Sequence, residues 1–153
     1  MPIEFSLTQH IAQAPDRVFH ALTDLDSAAD WMPGFVRIEK LSHGDFAVGS
    51  EWRETRKFFG KEATEQFEVT RCESPTELSV RVDGSKGSSR RGEYLFDYRL
   101  QPKGAGTEVT LHGSIRGLGR FGTFVGRLFV GQYKKACAND LRALAEHLEG
   151  SGE

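Results

Sequence analysis

The chain has 153 residues, 38% of them hydrophobic and 27% charged, with a formal net charge of −2. That length suits one domain able to bury about two-thirds of its unfolded surface. The near-neutral balance gives no electrostatic reason to expect a nucleic-acid partner, and no apolar run approaches the ~20 residues that span a bilayer. The N-terminus lacks a basic region followed by an apolar core, so the expectation is a cytoplasmic protein without a leader.

Strand-like alternation begins at once: Ile3, Phe5 and Leu7 alternate with Glu4, Ser6 and Thr8. The stretch APDRVFHALTDLDSAADWMPG, Ala14 to Gly34, then interrupts the β pattern. Pro15 fits the first position of a helix and Asp16 its positive end. Val18, Phe19 and Leu22 form a short apolar stripe. Asp24 can cap a second short helix carrying Leu25, Ala28 and Ala29, which has to end before Pro33. Pro33-Gly34 supplies a turn back into extended chain. From Phe35 to Ile115 the signals are β, with strands expected over Phe35–Leu41, Ser50–Phe59, Lys61–Cys72, Glu77–Val82, Ser89–Gln101 and Thr107–Ile115. The breaks are short or rich in Gly, Ser and Pro, which implies an antiparallel meander.

Phe121 to Glu149 changes period, with apolar residues recurring at three and four along one long amphipathic helix. Gly119, Gly122, Gly126 and Gly131 weaken its first half, which is expected to be kinked, loosely formed or closely packed. A seven-stranded antiparallel sheet twists, and its apolar face needs a cover that only this helix is large enough to supply. The expected fold is therefore α+β, a helix grip: a curved sheet wrapped around a long C-terminal helix, with the two short helices closing one end. Residues 1–150 are expected to form this single domain and 151–153 a disordered tail. The cysteines, Cys72 and Cys137, form no metal-type spacing and read as reduced packing thiols.

The order of elements, together with APDRVFHALTDLDSAADWMPG, VGSEWRE, GTEVTL and LRALAEHLEG, resembles the START/Bet v 1-like superfamily (SRPBCC). Within it the resemblance is to bacterial polyketide cyclase/dehydrase or lipid transport-like proteins, and it spans nearly the whole chain. The resemblance implies a deep, mostly apolar cavity for a lipid, isoprenoid or polyketide. Composition and periodicity do not show that ligand class.

Strand alternation nominates the inward residues. Tyr94, Phe96, Tyr98 and Leu100 share one face of their strand, opposite Glu93, Asp97 and Arg99. If Trp52 and Phe58 point inward, Glu54 and Arg56 do so with them. Such a pair serves as a ligand anchor or as acid and partner in catalysis; the simpler reading is a surface ion pair on a solvated face. Tyr94 and Tyr98 carry hydroxyls for a ligand carbonyl or for a backbone group. Trp31 walls the entrance or plugs the sheet end. From the helix, Phe121, Val125, Phe129 and Gln132 complete the cavity candidates. Among the five histidines, none sits beside a serine or cysteine in a nucleophile pattern and none shows metal-ligand spacing. No cofactor and no metal are expected.

The segment FGTFVGRLFVG, Phe121 to Gly131, has a G-x-x-x-G spacing, but Arg120, Arg127, Lys134 and Lys135 break the run and exclude a span. It suits packing over the sheet, or a gate that touches a lipid surface transiently during ligand exchange. Three functions remain: a non-catalytic carrier or sensor of a hydrophobic small molecule, a cyclase or dehydratase using Glu54, Arg56, Tyr94 or Tyr98, and a partner-binding module with an apolar groove. The oligomeric state is not indicated.

Overall fold

The computed structural model describes residues 2–150; the expected tail lies outside them. The order is β1 (Ile3–Ile11), α1 (Pro15–Thr23), a 3-10 helix (Leu25–Asp30), β2 (Phe35–Lys40), β3 (Glu51–Phe58), β4 (Lys61–Glu73), β5 (Glu77–Asp83), β6 (Glu93–Lys103), β7 (Gly106–Arg116) and α2 (Gly119–Gly150), with a second 3-10 turn at Gly84–Lys86. All seven strands form one antiparallel sheet in the order β1-β7-β6-β5-β4-β3-β2. β1 and β2 thus lie on opposite edges, and the chain between them has to cross the sheet. The helices of the Ala14–Gly34 stretch are that crossing, with Pro15 opening α1 and the Asp24 carboxylate capping the 3-10 helix through the Asp26 N–H.

One face of the sheet is apolar by strict alternation. In β5, Leu78, Val80 and Val82 are buried; in β7, Val109, Leu111 and Ile115. Gly113 belongs to the same face, where a Cβ would fall 2.3 Å from the Phe5 ring, so the missing side chain gives Phe5 its place. Against this face α2 lays Leu141, Leu144, Ala145 and Leu148, all buried, and they meet Ile11, Val18 and Phe19 in a continuous core. α2 runs unbroken through its glycine-rich first half. Of the three expectations for that half, close packing is seen at Gly126, where a Cβ would stand 2.7 Å from Ile3 Cδ1.

The expected strand Ser89–Gln101 starts later, at Glu93, because residues 84–92 form a turn held to β4 by Ser88 N–H donating to Thr64 O. Strand β3 stops at Phe58, since Phe59 (φ +52°) and Gly60 (φ +81°) both take left-handed conformations in a two-residue hairpin turn.

Gly34 ends the crossing segment at φ +68°, and a Cβ there would sit 2.4 Å from the Lys57 carbonyl oxygen, a backbone atom that cannot swing away. Its own carbonyl accepts from Lys57 N–H at 2.7 Å. Gly34→Ala is expected to cost about 2 kcal/mol or more, read as a lowered Tm in thermal denaturation; an unchanged Tm contradicts the tight approach of this turn to β3.

Candidate functional site

Between the sheet and the middle of α2 lies a cavity of about 310 Å3. Its walls are apolar and aromatic: Trp31, Phe46, Trp52, Phe67, Phe96 and Tyr98 among others. Trp52 stacks on Phe67, with ring centres 5.3 Å apart and planes 5° from parallel, and Phe46 packs tilted against Trp52 at 5.8 Å. Tyr94 meets Tyr133 of α2 at 6.2 Å. The lining residues Phe58 and Tyr133 are each 41% exposed, so the wall reaches solvent between the β3–β4 hairpin and α2.

Inside this largely apolar shell sits a charged cluster centred on β3, while the Asp24 and Glu65 carboxylates line the wall elsewhere and Glu65 Oε2 is buried without a partner among the described residues. Residues 52, 54, 56 and 58 of β3 all face the cavity, as strand parity requires. The Arg56 guanidinium donates to both carboxylate oxygens of Asp140 on α2, at 2.9 and 2.6 Å. It also donates twice to the Pro33 carbonyl, at 3.1 and 2.9 Å, and lies 5.2 Å from the centre of the Phe58 ring. Arg56 is therefore a clamp joining β3, the turn after the 3-10 helix and α2. Burial alone would lower its pKa, but the Asp140 hydrogen bonds and charge more than offset this and raise it.

Glu54 stands behind the clamp. Its carboxylate is 3.7 Å from Arg56 Nη1 and accepts a long 3.5 Å bond from Trp52 Nε1. With Glu54 only 8% exposed, burial pushes its carboxyl up to about 7; Arg56 and Trp52 pull it down and Asp140 adds a further push upward. The reading of Glu54 and Arg56 as a solvated surface pair is thus overturned: Arg56 is 12% exposed, and both line the chamber. Burial likewise raises the Tyr98 hydroxyl and pushes the Cys137 thiol up to about 12, so both keep their protons at neutral pH. Trp31 Nε1 is buried without an acceptor among the described residues, a donor left on the cavity wall.

Of the candidates nominated from sequence, Trp31, Trp52, Glu54, Arg56, Tyr94, Phe96 and Tyr98 border the chamber, whereas Phe121, Val125, Phe129 and Gln132 do not. Phe121 and Phe129 are exposed, Gln132 is exposed and Val125 half-buried. They lie on the part of α2 that precedes the cavity; the helix contributes Tyr133, Ala136, Cys137, Asp140 and Leu141 instead. Sequence reasoning missed Asp140, although it falls within the three-to-four stripe Tyr133, Ala136, Cys137, Leu141, Leu144, where a carboxylate needs a partner.

It also missed a contact across β1 and β7: Ser6 Oγ lies 2.9 Å from His112 Nδ1, and His112 Nε2 lies 3.1 Å from Glu4 Oε1. Ser6 and His112 are far apart in sequence and become neighbours only through strand register. The trio sits on the sheet face turned away from the cavity.

A curved sheet gripping one helix around an aromatic-walled chamber defines a helix-grip protein of START/Bet v 1-like type. The chain belongs to the family of polyketide cyclase / dehydrase and lipid transport proteins, whose model matches residues 2–149. No curated protein matches it. Among solved structures it is similar to TTHA0849 from Thermus thermophilus, with 17% identity over 99% of this chain and 100% of that one at a TM-score of 0.79. It is also similar to Ara h 8.0201 (13% identity, 98% and 99% covered, TM-score 0.78). A third likeness is the ginseng major latex-like protein 151 from Panax ginseng (15% identity, 96% and 97% covered, TM-score 0.76). At these identities the likeness is one of fold.

A carboxyl whose pKa is about 7 in the folded chain and 4.5 as its ordinary value binds extra proton in the folded state between those limits. Stability is therefore undiminished below pH 4.5 and falls as pH rises toward 7, by on the order of 3 kcal/mol in total. Glu54→Gln removes the ionisation while keeping the shape. The variant is expected to match the parent's Tm near pH 4.5 and exceed it at pH 8; a Tm difference independent of pH contradicts the buried acid.

Proposed function

We propose that the protein binds a hydrophobic small molecule, of the lipid, isoprenoid or polyketide class, in the chamber between sheet and helix, and acts as its carrier or sensor. The observation that carries this reading is the 310 Å3 cavity walled by Trp31, Trp52, Phe67, Phe96 and Tyr98, a size and lining suited to an apolar ligand. The wall offers donors in the Tyr98 hydroxyl, the protonated Glu54 carboxyl and the Trp31 N–H, and an acceptor in Glu65 Oε2, which is buried without a partner among the described residues. They suit a mostly apolar ligand that carries a polar end such as a carbonyl or hydroxyl. Arg56 spends its N–H groups on Asp140 and Pro33, so it positions the wall rather than the ligand.

A second reading, a cyclase or dehydratase, is favoured by one observation: Glu54, poised near neutrality, shares the cavity with Tyr98. An acid able to give and take a proton at pH 7 beside a protonated phenol suits acid–base work on a polyketide-like chain. Glu54→Gln separates the readings when set beside the parent: an enzyme converts a polyketide-like substrate in the parent and binds it without turnover in the variant, whereas a carrier converts it in neither.

Native mass spectrometry of the purified protein, followed by solvent extraction, is expected to reveal a bound apolar molecule. After extraction, the fluorescent probe 1,8-ANS is expected to bind at one site, and Ala136→Phe, which fills the chamber from α2, to weaken it by about tenfold or more. A folded Ala136→Phe variant with unchanged probe affinity, together with no retained molecule, contradicts the reading.

A further inference from the structure

The rim of the chamber is the most apolar exposed surface of the molecule. At the tip of the β3–β4 hairpin, Phe59 is 103% exposed and stands free in solvent. It occupies a left-handed turn position, φ +52°, which favours Asn, Asp or Gly and penalises a bulky side chain. Neither packing nor turn chemistry accounts for a phenylalanine there. Across the opening, the first half of α2 exposes Phe121, Phe124, Leu128 and Phe129. Both elements lie at one end of the sheet, where β3 ends, β4 begins and β7 leads into α2.

Basic residues surround these aromatics. Lys57 and Lys61 flank the hairpin tip, and Arg120, Arg127, Lys134 and Lys135 are the charges of α2 from Gly119 to Asn139, a stretch without a single carboxylate. All six are exposed. The chain as a whole is slightly acidic, with net charge −2, so the carboxylate-free run of α2 departs from its average; at the hairpin Glu62, 54% exposed, is the acidic neighbour of Lys57 and Lys61.

We propose that this end is a docking surface for an anionic phospholipid bilayer, with Phe59 and the exposed aromatics of α2 entering the headgroup region and the flanking lysines and arginines contacting lipid phosphates. Aromatic tips with flanking lysines suit an interface whose charges lie in a plane above an apolar layer. A two-fold interface between copies of this chain would set the same cations against one another. Among the described residues no helix is long and apolar enough to cross a membrane, so the contact is peripheral. Because the surface lies at the end of the fold where Phe58 and Tyr133 open the chamber to solvent, it deepens the ligand-binding reading and rests on it for one point only, that ligand passes between bilayer and chamber.

Vesicle flotation without ligand tests the docking, while native mass spectrometry without vesicles tests the chamber, so the two fail separately. The protein is expected to float with phosphatidylglycerol/phosphatidylcholine vesicles and not with phosphatidylcholine alone, and to release as salt rises beyond physiological strength. Phe59→Ser, at a side chain fully open to solvent, is expected to leave Tm unchanged and weaken flotation by about tenfold or more; the Lys57→Glu/Lys61→Glu pair is expected to weaken it comparably. In Phe59→Trp the emission is expected to shift to the blue on vesicle addition. No flotation at low salt, or flotation unaffected by Phe59→Ser, overturns the proposal. So does concentration-dependent dimerisation by light scattering that Phe124→Ser abolishes, which would assign the patch to a second copy.

Discussion

The contact on which the site depends is the fork between Arg56 and Asp140. It joins the middle of β3 to the middle of α2, and its remaining N–H groups hold the Pro33 carbonyl. A guanidinium this buried needs nearly all its donors met, and three elements have to be in register to meet them. The clamp therefore fixes the separation of sheet and helix at the level of the chamber. Below it, Leu141, Leu144 and Leu148 close the layers into a core; above it, the helix stands away and the cavity opens.

The clamp also sets the chemistry of its neighbour. With Asp140 neutralising Arg56, Glu54 finds only a partial counter-charge at 3.7 Å and is desolvated by the aromatic wall. The result is a carboxyl pushed up to about 7, a hydrogen-bond donor in a mostly apolar chamber over the acidic half of the pH scale. An occupant of matching shape gains dispersion contacts with the lining side chains.

Much of this was legible in the sequence because it is periodic. Alternation placed Leu78, Val80 and Val82 inward and put Trp52, Glu54, Arg56 and Phe58 on one face; Pro15, Asp24 and Pro33-Gly34 marked the crossing segment. What periodicity does not encode is where one layer ends against the other. Phe121, Val125 and Phe129 belong to the apolar pattern of α2 yet lie before the chamber, because the helix extends past the part of the sheet that faces it. Nor does strand parity say whether a face is wet or dry. Glu54 and Arg56 read as a surface pair until Asp140, 84 residues away from Arg56 in sequence, supplied the partner that lets the guanidinium be buried. The Ser6–His112–Glu4 contact escaped for the same reason: register between β1 and β7 is a long-range property.

The central claim is that the polar cluster is buried in the chamber wall rather than bathed in solvent. Carbon-13 NMR of the glutamate side-chain carboxyls across a pH titration, with Glu54 assigned through Glu54→Gln, tests this most directly. The account predicts a Glu54 midpoint near 7, against an ordinary value of 4.5. A midpoint at the ordinary value would mean that water reaches Glu54 freely and that the chamber does not desolvate the cluster as described.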